Sequence, residues 1–154
     1  MKLPIDGIQA FVLIAELGSF QRAAEQLALT QTALTRRIQR LEAEGVIGGY
    51  AAWLRPQALG LGLQAFVRVQ LEKHGQHTME PFAQAVRGWD EVVACHALTG
   101  DMDYLLHVVV PDLDRFSAFL LDKLLNSAGV ADVNSSFVLR TVKQTGAMPL
   151  EHLA

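Results

Sequence analysis

The stretch TQTALTRRIQRLE, Thr30 to Glu42, sets three arginines, two glutamines and three threonines among regularly spaced apolar residues. At about 100° per residue on a helix, Leu34, Ile38 and Leu41 share one face. Thr32, Thr35, Arg36, Gln39 and Arg40 share the opposite face, with Gln31 and Arg37 flanking. Arginine and glutamine suit base edges and phosphates, and threonine hydroxyls suit both, so this face could read a DNA duplex. An ordinary solvated helix face has the same look, and spacing alone leaves both readings open.

A second cluster is LTGDMDY, Leu98 to Tyr104. Gly100 lets a ligand approach the backbone and lets N–H groups point at a carboxylate. Asp101 or Asp103 could hold an ammonium by a charge-assisted hydrogen bond. Leu98, Met102 and Tyr104 could line a pocket beside them, with Thr99 between. That combination would suit a small zwitterion, and Leu98 and Met102 favour one with an apolar body. The competing reading is a plain β-turn, since Gly and Asp are typical turn residues.

Other candidates for chemistry are poorer. His74 and His77 are three apart with no third metal ligand at suitable spacing, so they read as a loop or exposed-helix pair. His96 and His107 fall on strands, as core or interface residues. Ser135 and Ser136 have no His/Asp arrangement to make a nucleophile. LGLGL lacks the remainder of either phosphate-binding glycine motif. No metal, no cofactor and no enzymatic activity are expected.

The elements that must position these clusters follow from periodicity. IDGIQAFVLIAELG places Ile5, Ile8, Phe11, Val12 and Ala15 at helical spacing, and Gly18 can end that helix. Ser19 can cap a second helix that buries Phe20, Ala23, Ala24 and Leu27. Thr30 caps a third, Gln31 to about Glu44, closed by Gly45. The short break before Thr30 suits a helix-turn-helix, whose second helix lies in the major groove. EGVIGGYAAWLRP offers two short extended pieces around Gly48 and Gly49 that would form a wing.

Beyond Pro56, Ala65, Val67, Val69 and Leu71 alternate with Phe66, Arg68 and Gln70 as in a strand. TMEPFAQAVRGWD reads as a helix burying Met79, Phe82, Ala83, Val86 and Trp89. EVVACHALTG and YLLHVVVPD read as strands. DLDRFSAFLLDKLLN reads as a helix with Leu113, Phe116, Phe119, Leu120 and Leu124 inside, and GVADVNSSFVLRTVKQT as a last strand. The order β-α-β-β-α-β implies a ferredoxin-like sheet with both helices on one face. The fold class is α+β: a winged helix-turn-helix over residues 1–55, a linker over 56–62 and a ferredoxin-like domain over 63–154. The open sheet face calls for a second copy, giving an isologous homodimer, and the tail TGAMPLEHLA could pack against a partner.

Composition sets the bounds. The chain has 154 residues, 51% of them hydrophobic and 19% charged, enough for real cores. Its net charge of −3 gives no global pull toward nucleic acid, but residues 1–56 carry +1 and residues 57–154 carry −4. The basic side is local to the arginine cluster. One cysteine, Cys95, excludes an internal disulfide and reads as a small buried hydrophobe. No apolar run is long enough for a membrane span, and a cytoplasmic protein is expected.

Two family resemblances meet in these residues. IQAFVLIAELGSFQRAAEQLALTQTALTRRIQRLE resembles the opening of LysR-type regulators. That resemblance implies that Thr30 to Arg36 enters the groove and that Ser19 and Arg22 sit near phosphates. RRIQRLEAEGVIGGYAAWLRPQALGLGLQAFVRVQLE, VVACHALTGDMDYLLHVVVPDLDRF and GVADVNSSFVLRTVKQT resemble the Lrp/AsnC, or feast/famine, regulators over about three quarters of the chain. The second resemblance implies double-stranded DNA and a free amino acid as partners, and dimers that close into tetramers or octamers. It also implies that Val133, Asn134, Ser135 and Ser136 of a neighbouring copy complete the effector site. A reading of another class is a small-molecule-sensing or oligomerisation module that binds no DNA.

Overall fold

The computed structural model describes residues 5–72, 79–144 and 148–149. The chain divides into two compact units, the second of them spanning Leu54–Thr145. The first holds α1 (Ile5–Leu17), α2 (Phe20–Gln26) and α3 (Gln31–Ala43). Ser19 Oγ accepts from the Arg22 N–H at 3.3 Å, and Thr30 Oγ1 accepts from the Ala33 N–H at 3.1 Å. These are the two N-caps that the Ser and Thr positions predict. Gly18, at φ 62°, turns the chain between α1 and α2.

On α3 the predicted apolar face is the buried one: Leu34, Ile38 and Leu41. On α1 it is not. Gly7 and Ala10 are buried, with Leu13, Ile14 and Leu17 packed partly against the core, whereas Ile5, Phe11 and Val12 stay exposed. The helix is apolar nearly all round, so periodicity does not select a side. Contact size does: a Cβ on Gly7 would stand 3.0 Å from Leu41 Cδ2, so small residues set the close approach of α1 to α3. Phe20 likewise stays exposed at the start of α2, while Ala23 and Ala24 are buried.

The turn between α2 and α3 passes through Ala28 at φ 52°. An alanine there holds its Cβ against the following carbonyl, at about 1–2 kcal/mol. Ala28→Gly removes that strain but adds freedom to the unfolded chain. The expected net result is a stability gain of up to about 1 kcal/mol in denaturant unfolding, and a loss would contradict the strain.

The two pieces expected to form a wing make no strand pair: residues 46–55 carry no ladder. A two-stranded ribbon is marginal alone, and Tyr50 Oη instead donates to Glu42 Oε1 at 2.6 Å, tying this segment to α3. Residues 56–62, expected as a linker, include a 3₁₀ turn, Pro56–Leu59, and group with the second unit. The Gly62 N–H donates to the Pro111 carbonyl at 3.3 Å.

The second unit contains β1 (Leu63–Leu71), α4 (Met79–Arg87), β2 (Val92–Ala97), β3 (Tyr104–Val110), α5 (Leu113–Ala118), its π-helical continuation Phe119–Leu124, and β4 (Val130–Phe137). The four strands form one antiparallel sheet in the order β2-β3-β1-β4. That is the ferredoxin-like arrangement. Ala65, Val67, Val69 and Leu71 are buried, as the alternation in β1 predicts. With Leu106 and Val108 of β3 they meet Phe82 and Val86 of α4, and Phe116, Phe119 and Leu124. Both helices thus cover one face. Met79 and Leu113, expected inside, are exposed at the starts of their helices, and Trp89 packs partly on the core beyond the end of α4.

The other sheet face is half open. Phe66 is 41% exposed and stacks on His107 at 4.7 Å with an interplanar angle of 19°. Arg68 Nη2 donates to Asn134 Oδ1 at 2.8 Å across β1 and β4. Cys95 is exposed, contrary to expectation, because β2 is an edge strand. Burial pushes the His107 imidazole below its ordinary value of 6.5. The folded state therefore binds that proton less readily than the unfolded chain. Its contribution to stability is present above about pH 6.5 and falls as pH drops through that value toward the lower folded pKa. The Tm should fall on acidification from pH 7.5 to 5.5, and His107→Gln should flatten part of that slope.

Candidate functional site

Two regions carry the residues singled out by chemistry, one in each unit. In the first, Thr30 caps α3 and fixes the start of the candidate reading helix. Gln31, Thr32, Thr35, Arg36, Gln39 and Arg40 are all exposed, on the side away from Leu34, Ile38 and Leu41. Two of the expected contacts already have partners within the unit. Arg40 Nε pairs with Glu44 Oε1 at 2.7 Å, and Arg37 Nη1 donates to the Asp6 carbonyl at 3.4 Å. Arg37 is half-buried and braces α3 against α1. Arg36 projects into solvent, and Arg22 is exposed on the first turn of α2 beside the cap Ser19.

Thr35 and Gln39 also share a surface hollow of about 410 Å³ with Phe11, Phe20 and Tyr50. Phe20 and Tyr50 were not among the expected site residues. In the sequence Phe20 reads as core and Tyr50 as part of the wing, and only the fold brings them beside the polar face of α3.

In the second unit the LTGDMDY loop joins β2 to β3. Leu98, Thr99, Gly100 and Asp101 are exposed, Met102 and Asp103 half-buried. Gly100 has φ 117°, a conformation that side chains rarely adopt, so this position requires glycine. The two aspartates differ in role. Asp103 is built into the sheet: its N–H donates to the Val69 carbonyl at 2.9 Å, and its Oδ2 accepts from the Leu71 N–H at 2.7 Å. Its carbonyl accepts from the Leu98 N–H at 2.8 Å, closing the loop. Asp101 is the exposed carboxylate.

Tyr104 is buried, unlike the exposed residues of the loop. It is 6% exposed, on the helix-covered face, with its ring 4.9 Å from that of Phe82 and its hydroxyl donating to the Met79 carbonyl at 3.4 Å. Burial pushes its phenol pKa up. It is the first residue of β3 and pairs with Val69, so strand alternation turns it inward.

The four β4 residues split between faces. Val133 and Ser135 pair with Val69 and Val67, on the helix-covered side, and Asn134 and Ser136 pair with Arg68 and Phe66, on the open side. Within one copy they do not form a single cluster. His74 and His77 lie outside the described residues, as does most of the TGAMPLEHLA tail. Among the described residues, no group of three His, Cys, Asp or Glu could hold a metal ion, and no helix is long and apolar enough to cross a membrane.

Residues 64–148 match the Lrp/AsnC ligand binding domain family. Residues 5–45 match the bacterial regulatory helix-turn-helix proteins of the lysR family. The DNA-binding transcriptional activator DecR of Escherichia coli is 37% identical over 134 residues, which span 86% of this chain and 88% of that protein. The Bkd operon transcriptional regulator of Pseudomonas aeruginosa is 38% identical over 132 residues, 86% of each chain. Among solved structures, a transcriptional regulator of Neisseria meningitidis in complex with L-Met superposes with a TM-score of 0.89 at 41% identity. That match covers 100% of this chain and 99% of the other.

Proposed function

The chain belongs to the Lrp/AsnC family of transcriptional regulators, and from that premise we propose how its two units divide the work. The helix-turn-helix, taken as residues 1–55, binds double-stranded DNA through α3. Gln31, Thr32, Thr35, Arg36 and Gln39 reach base edges or phosphates, while Ser19, Arg22 and Thr30 lie at helix N-termini where phosphates are favoured. Arg37 and Arg40 hold the helix rather than read the duplex, given their partners Asp6 and Glu44. The observation that carries this reading is the fully exposed polar face of a capped α3 whose opposite face is buried.

The ferredoxin-like unit, taken as residues 63–154, binds a free amino acid at the Gly100 loop. Asp101 holds the ammonium, since Asp103 is committed to the Leu71 N–H. Leu98 and Met102 supply apolar contact, and the L-Met bound by the Neisseria relative supports an apolar ligand. Asn134 and Ser136, on the open sheet face, are placed to meet a second copy, whereas Val133 and Ser135 face their own helices. A homodimer covers Phe66 and His107, and dimers assemble further into tetramers or octamers in the cytoplasm. The amino acid acts by binding one assembly or DNA-bound state more tightly than another.

The test is a thermal-shift panel of the twenty amino acids on the full chain, run alongside size measurement. A ligand at a hundred times its Kd stabilises by about 2.7 kcal/mol, which raises the Tm by several degrees. Asp101→Asn should abolish the shift at that concentration. An unchanged shift in the variant would remove Asp101 from the site, and no shift with any amino acid would remove the effector.

A further inference from the structure

We propose a second small-molecule site in the ferredoxin-like unit, at the opposite end of the sheet from the Gly100 loop, that takes a zwitterion with an apolar body. The surface hollow there, half open to solvent, has a volume of about 660 Å³, within the range of small-ligand sites. It lies by Leu61 and Pro111, where β1 begins and β3 ends. The loop instead bonds to Val69 and Leu71 at the far end of β1. The nearest wall residue, Val93, is five residue steps along β2 from Leu98, roughly 16 Å at about 3.3 Å each.

Two backbone irregularities converge on this hollow. The helix after β3 widens into a π-helical stretch, Phe119–Leu124, and the Leu125 N–H reaches back to the Leu120 carbonyl at 2.9 Å. Phe119, Asp122 and Lys123 of that stretch line the hollow. On the facing side, β2 slips register between Val92 and Ala94, leaving Val93 58% exposed on the wall of the hollow. π-Helical turns and β-bulges cost regular hydrogen bonding and concentrate where side chains must be re-aimed. Here both re-aim side chains at one space.

The charges define the ligand. Lys123 Nζ is committed to Glu91, at 2.7 and 2.8 Å from its two carboxylate oxygens. Among the described residues of the lining, that leaves Arg115 as the cation and Asp90 and Asp122 as the anions. A guanidinium fork fits a carboxylate, and the two aspartates fit an ammonium. Val93, Pro111 and Phe119 offer the apolar wall between them.

Trp89 provides the readout, because its ring packs edge-on against Phe119 with centroids 5.6 Å apart. The other tryptophan, Trp53, is in the first unit and exposed, so Trp53→Phe leaves Trp89 as the sole reporter. The full chain with that substitution is titrated with L-leucine, L-methionine and L-phenylalanine, and separately with the 2-oxo acid of leucine. Saturable change in Trp89 emission is expected with at least one amino acid, about tenfold weaker or worse for Arg115→Met and for Asp122→Asn. Asp101→Asn should leave it intact, and the 2-oxo acid should bind at least tenfold more weakly. Any of three results overturns the proposal: no saturable change, a change indifferent to both Arg115→Met and Asp122→Asn, or one lost in Asp101→Asn. Equal binding of the 2-oxo acid overturns the ammonium contact. Since Asp101→Asn tests the loop alone, failure of either site shows independently of the other.

Discussion

Replacing Phe82 with alanine should cost the second unit about 3–5 kcal/mol, close to the whole stability of a small domain. The side chain is 0% exposed and stands where α4 meets the sheet. Its ring lies 4.9 Å from that of Tyr104 and 6.0 Å, edge-on, from that of Trp89. Trp89 in turn packs on Phe119, and Phe119 on Phe116, so one aromatic chain ties α4 to α5 across the core. Removing its first member loses apolar burial and leaves a cavity that close-packed neighbours cannot fill. Denaturant unfolding in the Trp53→Phe background, followed by Trp89 fluorescence, measures the loss. Leu113→Ala is the control: Leu113 is 57% exposed, so its truncation should cost within about 0.5 kcal/mol. A Phe82→Ala loss no larger than that of Leu113→Ala would contradict this account of the core.

The contrast between Phe82 and Leu113 also shows what could be read before the structure. Where one face of an element is apolar and the other polar, period decides burial. That holds for β1, with Val67 and Val69 in and Phe66 and Arg68 out, and for α3, with Leu34, Ile38 and Leu41 in. Caps are legible because they are local: Ser19 and Thr30 each satisfy an N–H three residues on. On α1 apolar residues surround the axis, and the close fit of Gly7 to Leu41, a contact 34 residues distant in sequence, chooses the face. The π-helical stretch at Phe119–Leu124 leaves no mark in apolar spacing at all. In the candidate sites, residue type located both regions, but roles depended on partners. Asp101 and Asp103 are equivalent as types, and only the fold separates them, above all by the Leu71 N–H that Asp103 accepts. The Asp6 carbonyl likewise separates Arg37 from Arg36. Tyr104 opens β3, as its strand pattern predicts, and only its pairing with Val69 shows that it turns inward, away from the exposed loop.

The distinction between Arg36 and its neighbours leads to the largest expected effect on binding. DNA held through phosphates must weaken steeply with salt, because each neutralised phosphate releases condensed counterions. Two copies presenting Arg22, Arg36 and one further contact each would neutralise about six phosphates. Raising salt from about 50 to 200 mM should then reduce affinity by on the order of a thousandfold. Fluorescence anisotropy on the DNA upstream of the chain's own gene would measure it. Arg36→Ala separates two modes of contact. If Arg36 reads a base, the variant loses about 1–3 kcal/mol on the specific site with the salt slope unchanged. If it holds a phosphate, binding to all sequences weakens and the slope falls by about one per lost contact. Arg40→Ala should do less than either, since the Arg40 guanidinium is already paired with Glu44. Equal affinity for Arg36→Ala and wild type would end the role given to Arg36. No measurable affinity at low salt would instead favour a module that senses small molecules or assembles without DNA, because no rearrangement of base contacts can hide the phosphate term.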